Sequence, residues 1–481
     1  MSAIVGLFGN RLNERIKPLL NLLRHRGDET RIVLGNRNFT LGSVASSSDG
    51  YFSDGTTAAV LDGRFFNLAQ LSKRERIKGR NSAELLLRLW QRRGQTGLKE
   101  LDGEFAFVIA DGKDVILGRD RFGYKPLYHA IDGRSWALAS EFKAIPPRFS
   151  RICHVPPGSG VILNRLQGFN LSRRTRPEPL LTDVKYVTRR LRELLTAAVA
   201  KRLDPNERTG ILLSGGIDSA TVACVARRLS DKLVSFTVGT REGPDLGFAG
   251  ELARRWGLEA HQLVYNTRDL MSVLPKTIFH LESYDAPLVR SSVANFLATR
   301  LARRHGVRRV LIGEGGDELF AGYDQLKRLP VNRLNRALWT MMGELYNGGL
   351  QRCDRMPQAH GVEATIPFLD INLFHFAFSI APELKIHNGV EKWILRKAFD
   401  GLMPGEVVWR PKQRFAAGAG SLESINKAVP KLVTAGDLTR AQKRWPQAGI
   451  RTTEELHYFR IFREFFPNRA VLPLIGRTAV I

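Results

Sequence analysis

The chain reads as an α/β protein in two parts: a strand-rich N-terminal region, then a doubly wound parallel sheet with many helices. Three observations predict this. Through about residue 165, short β-type runs alternate with Gly and Asp turns. From about residue 183, helical segments alternate with short buried-strand runs, the pattern of a parallel sheet. Within that second region, one strand run ends abruptly on glycines, Ile211-Leu212-Leu213-Ser214-Gly215-Gly216-Ile217-Asp218-Ser219, and restarts as a helix.

Taken in order, strands are expected over 4–8, 58–61, 105–110, 115–117 and 136–139. A helix over 82–93 interrupts them, with Leu85, Leu86 and Leu89 as its apolar face. Pro156-Pro157-Gly158 and the basic, Pro-bearing stretch 173–179 mark a connection. The domains are therefore 1–165, a linker over 166–182, and 183–481. In the last, strands are expected over 210–213, 233–238 and 309–312, a helix over 220–229, and mostly helix beyond 320. Ser214 and Gly313 then fall at the carboxyl ends of strands, where ligands of such sheets bind.

A length of 481 residues with 43% apolar content supports more than one core. Basic residues number 73 and acidic ones 47, so the formal charge is +26, which favours anionic partners such as nucleotides and acidic substrates. The charge is spread over helical faces, and no RNA-recognition or helix-turn-helix signature accompanies it, so no nucleic-acid partner is expected. Three cysteines without a CxxC or Cys/His cluster argue against disulfide frameworks and zinc. With no secretory leader and no apolar run near ~20 residues, a soluble cytoplasmic protein with no membrane partner is expected.

The chemistry is concentrated at 213–219. Glycines let backbone approach a ligand, and the first amides of a helix present free donors at the positive end of its dipole. Such a turn holds phosphate. It lacks the Walker lysine, so ordinary phosphoryl transfer is not expected. Ser214-Gly215-Gly216-Ile217-Asp218-Ser219 resembles the PP-loop of ATP pyrophosphatases, in which the loop grips the β and γ phosphates while the α-phosphorus is attacked.

Further motifs extend the likeness along the chain: Arg24-His25-Arg26-Gly27, Leu101-Asp102-Gly103-Glu104-Phe105, Gly118-Arg119-Asp120-Arg121-Phe122-Gly123, Gly313-Glu314-Gly315-Gly316-Asp317-Glu318, Ile366-Pro367-Phe368-Leu369-Asp370 and Trp409-Arg410-Pro411-Lys412-Gln413. In order and spacing they resemble the glutamine-hydrolysing asparagine synthetases. The resemblance implies an N-terminal Ntn-hydrolase-like αββα domain and a C-terminal PP-loop synthetase domain. The implied reaction adenylates a carboxylate, the aspartate β-carboxylate in the family, and ammonia then displaces AMP to leave an amide. ATP and Mg2+ are the implied cofactors, and a homodimer is the implied assembly. By the same resemblance, Leu213, Ser214, Gly215, Gly216, Asp218, Ser219, Val238, Gly313 and Lys392 surround ATP and pyrophosphate, and Asp218 and Asp317 hold the metal. Glu314, Lys412 and Asp317 are the implied catalytic residues: Lys412 stabilises charge at the α-phosphate and Glu314 binds or deprotonates ammonium. Asp285, Arg290 and Glu318 are the implied acceptor pocket.

Departures from the family pattern are concentrated in the N-terminal half. Its nucleophilic cysteine is replaced by Ser2, a far weaker nucleophile near neutral pH. The family Asn-Gly-Glu is Asp62-Gly63-Arg64, and Ser82 stands for an Asp ahead of Glu84. Glutamine hydrolysis is expected to be lost. Ile312 and Pro287-Leu288 replace family hydroxyl residues near the acceptor, which leaves open a specialised acceptor, as in the related β-lactam synthetases or lasso-peptide cyclases, and also a non-catalytic homologue.

Overall fold

A computed structural model describes residues 1–9, 16–36, 39–112, 114–133, 135–171, 180–413, 415–429 and 432–478. The connecting stretch 173–179 lies outside the described residues. The chain divides into two compact units, one comprising Met1–Arg174, Trp445–Gly449 and Arg460–Gly476, the other Thr175–Arg444, Ile450–Phe459 and Arg477–Ile481.

In the first unit, β1 (Ser2–Phe8), β2 (Glu29–Asn36), β3 (Phe39–Ala45), β4 (Tyr51–Ser53), β5 (Thr57–Phe65), β6 (Gly103–Asp111), β7 (Asp114–Arg119), β8 (Tyr128–Asp132), β9 (Ser135–Ala139), β10 (Ile152–His154), β11 (Ser159–Ile162) and β12 (Gln167–Asn170) form two six-stranded sheets. Their orders are β10-β8-β9-β1-β3-β2 and β12-β11-β7-β6-β5-β4. Strand alternation builds the layers. Ile4, Leu41 and Leu138 of one sheet share a buried core with Val60, Val108 and Leu117 of the other.

Helix α1 (Ile16–Leu22) covers the outer face of the first sheet, where a Cβ at Gly42 would come within 2.9 Å of Leu20. Two more helices follow, α2 (Leu68–Glu75) and α3 (Ser82–Leu98), and α3 packs Leu86, Leu87 and Leu98 on Leu61, Phe105 and Phe107 of the second sheet. Each such leucine contributes about 1.5–3 kcal/mol by burial. The result is the αββα arrangement. Asn81 starts α3 by accepting from the Glu84 amide at 2.9 Å. The helix breaks at Gly94 (φ 54°, ψ −139°), just past the expected end at residue 93, and a second short helical stretch continues to Leu98. Its buried face takes Leu87 rather than Leu85.

Trp445–Gly449 and Arg460–Gly476 join this unit, although the sequence reading grouped them with the second domain. Arg463 and Arg469 lie over the Trp445 ring, and Phe462 and Phe466 pack edge-on to Phe142. Contacts between residues so far apart in the chain leave no local periodicity to read.

In the second unit, α4 (Val184–Ala200) is followed by β13 (Thr209–Leu212), α5 (Ile217–Leu229), β14 (Leu233–Gly239), α6 (Asp245–Trp256), β15 (Glu259–Val264), α7 (Thr267–Leu281), α8 (Ala286–Arg304), β16 (Arg309–Leu311), α9 (Gly316–Phe320), α10 (Val331–Glu344), α11 (Gly349–Gln358) and β17 (Glu363–Thr365). The five strands are parallel in the order β15-β14-β13-β16-β17. Chain order reverses between β13 and β16, so the loops after these two strands face each other across a crevice at the sheet's carboxyl edge. Two strands escaped the sequence reading. None of the residues of β15 is fully buried, and β17 has only three residues, so neither shows an apolar run.

Candidate functional site at the strand switch

The loop after β13 is held open by its own backbone. Leu213 prolongs the ladder, donating its amide to Phe236 O at 3.0 Å and accepting from Thr237 Oγ1 at 2.7 Å, beside buried Val238. Gly215 sits at φ +70°, and a Cβ there would lie 2.4 Å from Phe248 of α6. Ser219 Oγ accepts from the Ser214 amide at 3.2 Å and donates to Gly216 O at 3.1 Å. It also lies 3.1 Å from Ser214 Oγ. α5 begins at Ile217, earlier than the expected 220, because Gly216 serves as its N-terminal cap. Asp218 and Ser219 are thereby in its first turn, at the positive end of the helix dipole.

The loop after β16 rests on that turn. A Cβ at Gly313 would meet Ser219 N at 2.7 Å, and one at Gly316 would meet Asp218 Oδ1 at 2.4 Å. Backbone occupies the first of these spaces, so only glycine fits. α9 starts at Gly316, and the side chains of Asp317 and Glu318 in its first turn do not cap it.

These placements assemble a cluster of charges. Lys392, fully buried, donates to Asp218 Oδ2 and lies 2.6 Å from Asp317 Oδ1. Lys412 Nζ donates to Asp317 Oδ2 at 2.6 Å. Burial opposes the charge on Asp317, but the two ammonium groups outweigh it and hold the carboxyl below its ordinary range. Burial likewise works against charge on Lys412, and Asp317 and Asp218 hold its ammonium above the usual value. Beside them, Arg352 donates to Glu314 Oε2 at 2.5 Å, and Tyr323 Oη donates to Glu318 Oε1 at 2.6 Å. Burial, then the charges of Asp317 and Glu314, push Glu318 up to about 8.

Among the described residues no group of three or more His, Cys, Asp or Glu could alone hold a metal ion. The two carboxylates of Asp218 and Asp317 nevertheless fit Mg2+, which takes few protein ligands and completes its shell with phosphate and water. Asp218 Oδ1 is buried and has no hydrogen-bond partner.

Of the expected acceptor residues, Glu318 lies in this cluster, whereas Asp285 and Arg290 have their charges met elsewhere in the second unit. Asp285 caps α8 through the Leu288 amide at 3.4 Å and accepts from Arg451 and Thr478. Arg290 Nε donates to Glu454 Oε1 at 2.7 Å. Sequence reasoning did not single out Arg352, Tyr323 or Asp245. Asp245 pairs with Arg410 NH2 at 3.1 Å, and the Arg410 guanidinium stacks 4.0 Å from the Phe248 ring centre. Burial raises the Asp245 carboxyl to about 6 against the pull of Arg410.

In the first unit, Ser2 Oγ donates to Asp62 Oδ1 and accepts from the Gly63 amide, both at 3.3 Å. The fully buried Arg26 joins them: its NH2 lies 3.0 Å from Asp62 Oδ2, its Nε donates to Ser2 O, and its NH1 pairs with Glu141 at 2.8 Å. Ser140 Oγ also donates to Asp62, at 3.2 Å. Arg64 stands opposite Glu104 across β5 and β6. Ser82 lies just inside α3, its amide donating to Asp49 at 2.8 Å.

An αββα unit followed in one chain by a parallel-sheet unit with a PP-loop at its switch point defines a class, the ATP-dependent amide-forming ligases with an amidotransferase-type domain. The asparagine synthase family matches residues 190–335 and 330–443, and the glutamine amidotransferase domain family matches residues 1–155. Asparagine synthetase [glutamine-hydrolyzing] 3 of Arabidopsis thaliana is 31% identical over 509 residues, covering 97% of this chain and 87% of the relative. Asparagine synthetase B [glutamine-hydrolyzing] of Escherichia coli K12 is 30% identical over 507 residues, covering 97% and 92%. The chain belongs to the asparagine synthetase family and is a ligase that forms carbon–nitrogen bonds. No helix among the described residues is long and apolar enough to cross a membrane.

Proposed function

We propose that this enzyme adenylates the β-carboxylate of aspartate with ATP and passes the acyl group to free ammonia, giving asparagine, AMP and pyrophosphate. The observation that carries this is the meeting of Asp218 and Asp317, from the first turns of α5 and α9, around Lys392 at the strand switch. In this reading Ser214, Gly215, Gly216, Ser219 and Gly313 cradle the departing pyrophosphate. Asp218 and Asp317 hold Mg2+, which supplies charge neutralisation to the phosphates. Lys392 and Lys412 screen the approach of carboxylate to α-phosphate, a step that brings two anions together. Glu314 receives the ammonium. The setting proposed is the cytoplasm, in keeping with three free cysteines.

The N-terminal unit is read as non-hydrolysing. A glutaminase nucleophile of this family is a thiol, whereas this position carries the far less ionised Ser2 hydroxyl, hydrogen-bonded at 3.3 Å to an Asp62 that is itself bound to Arg26. A second reading keeps the chemistry and changes the acid. It is favoured by apolar Ile312 ahead of Gly313 and by the pairing of Arg290 with Glu454.

Pyrophosphate release over a panel of carboxylic acids with ammonium tests both readings. Asparagine from aspartate supports the first, and release with another acid alone supports the second. Formation of ADP rather than AMP overturns both.

A further inference from the structure

Glu314 is the residue of the cluster whose surroundings are most specifically built. Its Oε1 occupies the space a Cβ at Gly349 would need, at 2.0 Å, so the carboxylate sits against the first turn of α11. A helix start of this length favours negative charge. Its Oε2 accepts from Arg352, one turn further along the same helix. Gly349, Arg352 and the Cys353 thiol, the groups set against Glu314 here, thus come from one rigid element.

The guanidinium of Arg352 differs from those of Arg119 and Arg396. Arg119 donates through Nε, NH1 and NH2 to the carbonyls of Lys125, Val155 and Gly123. Arg396 likewise donates through all three nitrogens, to Glu391 and to the Val408 and Arg410 carbonyls. Arg352 is also buried, at 8% exposure, yet its Nε has no partner and its bond to Glu314 is made through NH2 alone. A buried donor left unpaired is costly, so the pair with Glu314 is not the arrangement that best satisfies this guanidinium.

We infer that Arg352 is a positioning residue for the amine step: it fixes the Glu314 carboxylate in one orientation, where the incoming ammonium is received. This rests on the ligase reading above. Adenylation is carried by the Asp218, Asp317, Lys392 and Lys412 group, so the two half-reactions respond differently. Held by a guanidinium and a helix start, Glu314 serves as an electrostatic dock for ammonium, and the Arg352 charge keeps that dock from binding a cation so tightly that it does not leave.

The test is to measure aspartate-dependent ATP–pyrophosphate exchange and ammonium-dependent asparagine formation in R352Q, R352K and G349A. The expected result is a rise of tenfold or more in the ammonium KM for R352Q and G349A, with exchange falling less than threefold and R352K intermediate. Parallel loss of exchange and amide formation in all three overturns the inference, because it marks a structural pair. So does an ammonium KM that stays within twofold. Absence of exchange in the unsubstituted enzyme instead overturns the aspartate reading on which the inference rests.

Discussion

Lys412 Nζ donates to Asp317 Oδ2 at 2.6 Å, joining residues 95 apart in sequence. One carboxylate therefore holds an ammonium group on each oxygen, Lys392 on Oδ1 and Lys412 on Oδ2. In the proposed reaction a phosphate ester and a carboxylate must share this ground, and two fixed cations lower the repulsion without reorganising at the moment of attack. The pair also explains why Asp317 stays ionised in a buried place.

If Lys412 stabilises charge that develops only during reaction, K412A should lower kcat by on the order of a hundredfold or more while ATP still binds. Steady-state rates and ATP titration by fluorescence or calorimetry check this. An unchanged kcat removes Lys412 from the chemistry, and loss of ATP affinity in proportion to kcat reassigns it to ground-state binding.

The contact between the two glycine turns makes a steric prediction. A methyl at position 313 would lie 2.7 Å from a backbone nitrogen of α5, which no side-chain rotation can relieve. G313A should raise the ATP KM at least about tenfold, since a shift of either loop separates the amides that hold phosphate from the carboxylates that hold metal. G343A, in α10 with nothing within 4 Å of the added methyl, is the control. Equal behaviour of the two variants refutes the steric argument.

Asp245 gives a stability signature with pH. Its folded carboxyl titrates at about 6 because burial disfavours its charge, above the ordinary 3.8. A carboxyl raised on folding binds more protons in the native state between these values, so its contribution declines as pH rises from about 4 to about 6 and is level above. The groups acting on it are Arg410, which pairs with it, Lys412 and Tyr265. D245N should therefore gain on the parent as pH rises through that window. Denaturant unfolding at pH 4, 5, 6 and 8 measures the difference, and a pH-independent difference contradicts it.

The legible parts of this molecule were those written locally. Strand-turn-helix grammar at 211–219 located the loop, and the Gly-Glu-Gly-Gly-Asp run located its partner; both lie at strand ends where the reading put them. What escaped depends on long-range contact. Arg352 falls in a run of mainly polar residues, Gln351-Arg352-Cys353-Asp354-Arg355, whose composition does not announce a core position, yet every residue of it is buried. Asp285 and Arg290 are met by Arg451 and Glu454, more than 160 positions away, so no spacing rule announced that they were paired. The αββα unit was recognised through motifs, since strands as short as β10 and as polar as β12 give no alternating signal.

The Ser2 site carries the last prediction. Arg26 and Asp62 are both fully buried and bind each other at 3.0 Å, with Ser2 and Ser140 completing the carboxylate's bonds. Such a pair contributes little net stability when intact, but removing one partner strands a charge and costs roughly 3–5 kcal/mol. R26M should therefore lower the unfolding free energy of the N-terminal unit by that amount, whereas S2A, which removes one weak 3.3 Å bond, should cost about 1 kcal/mol or less. Neither S2A nor the parent should release glutamate from glutamine, and ammonium-driven turnover should be the same in both. Glutamate release by the parent that S2A abolishes would show that the hydroxyl is a working nucleophile, and the buried pair would then be its support and not its replacement.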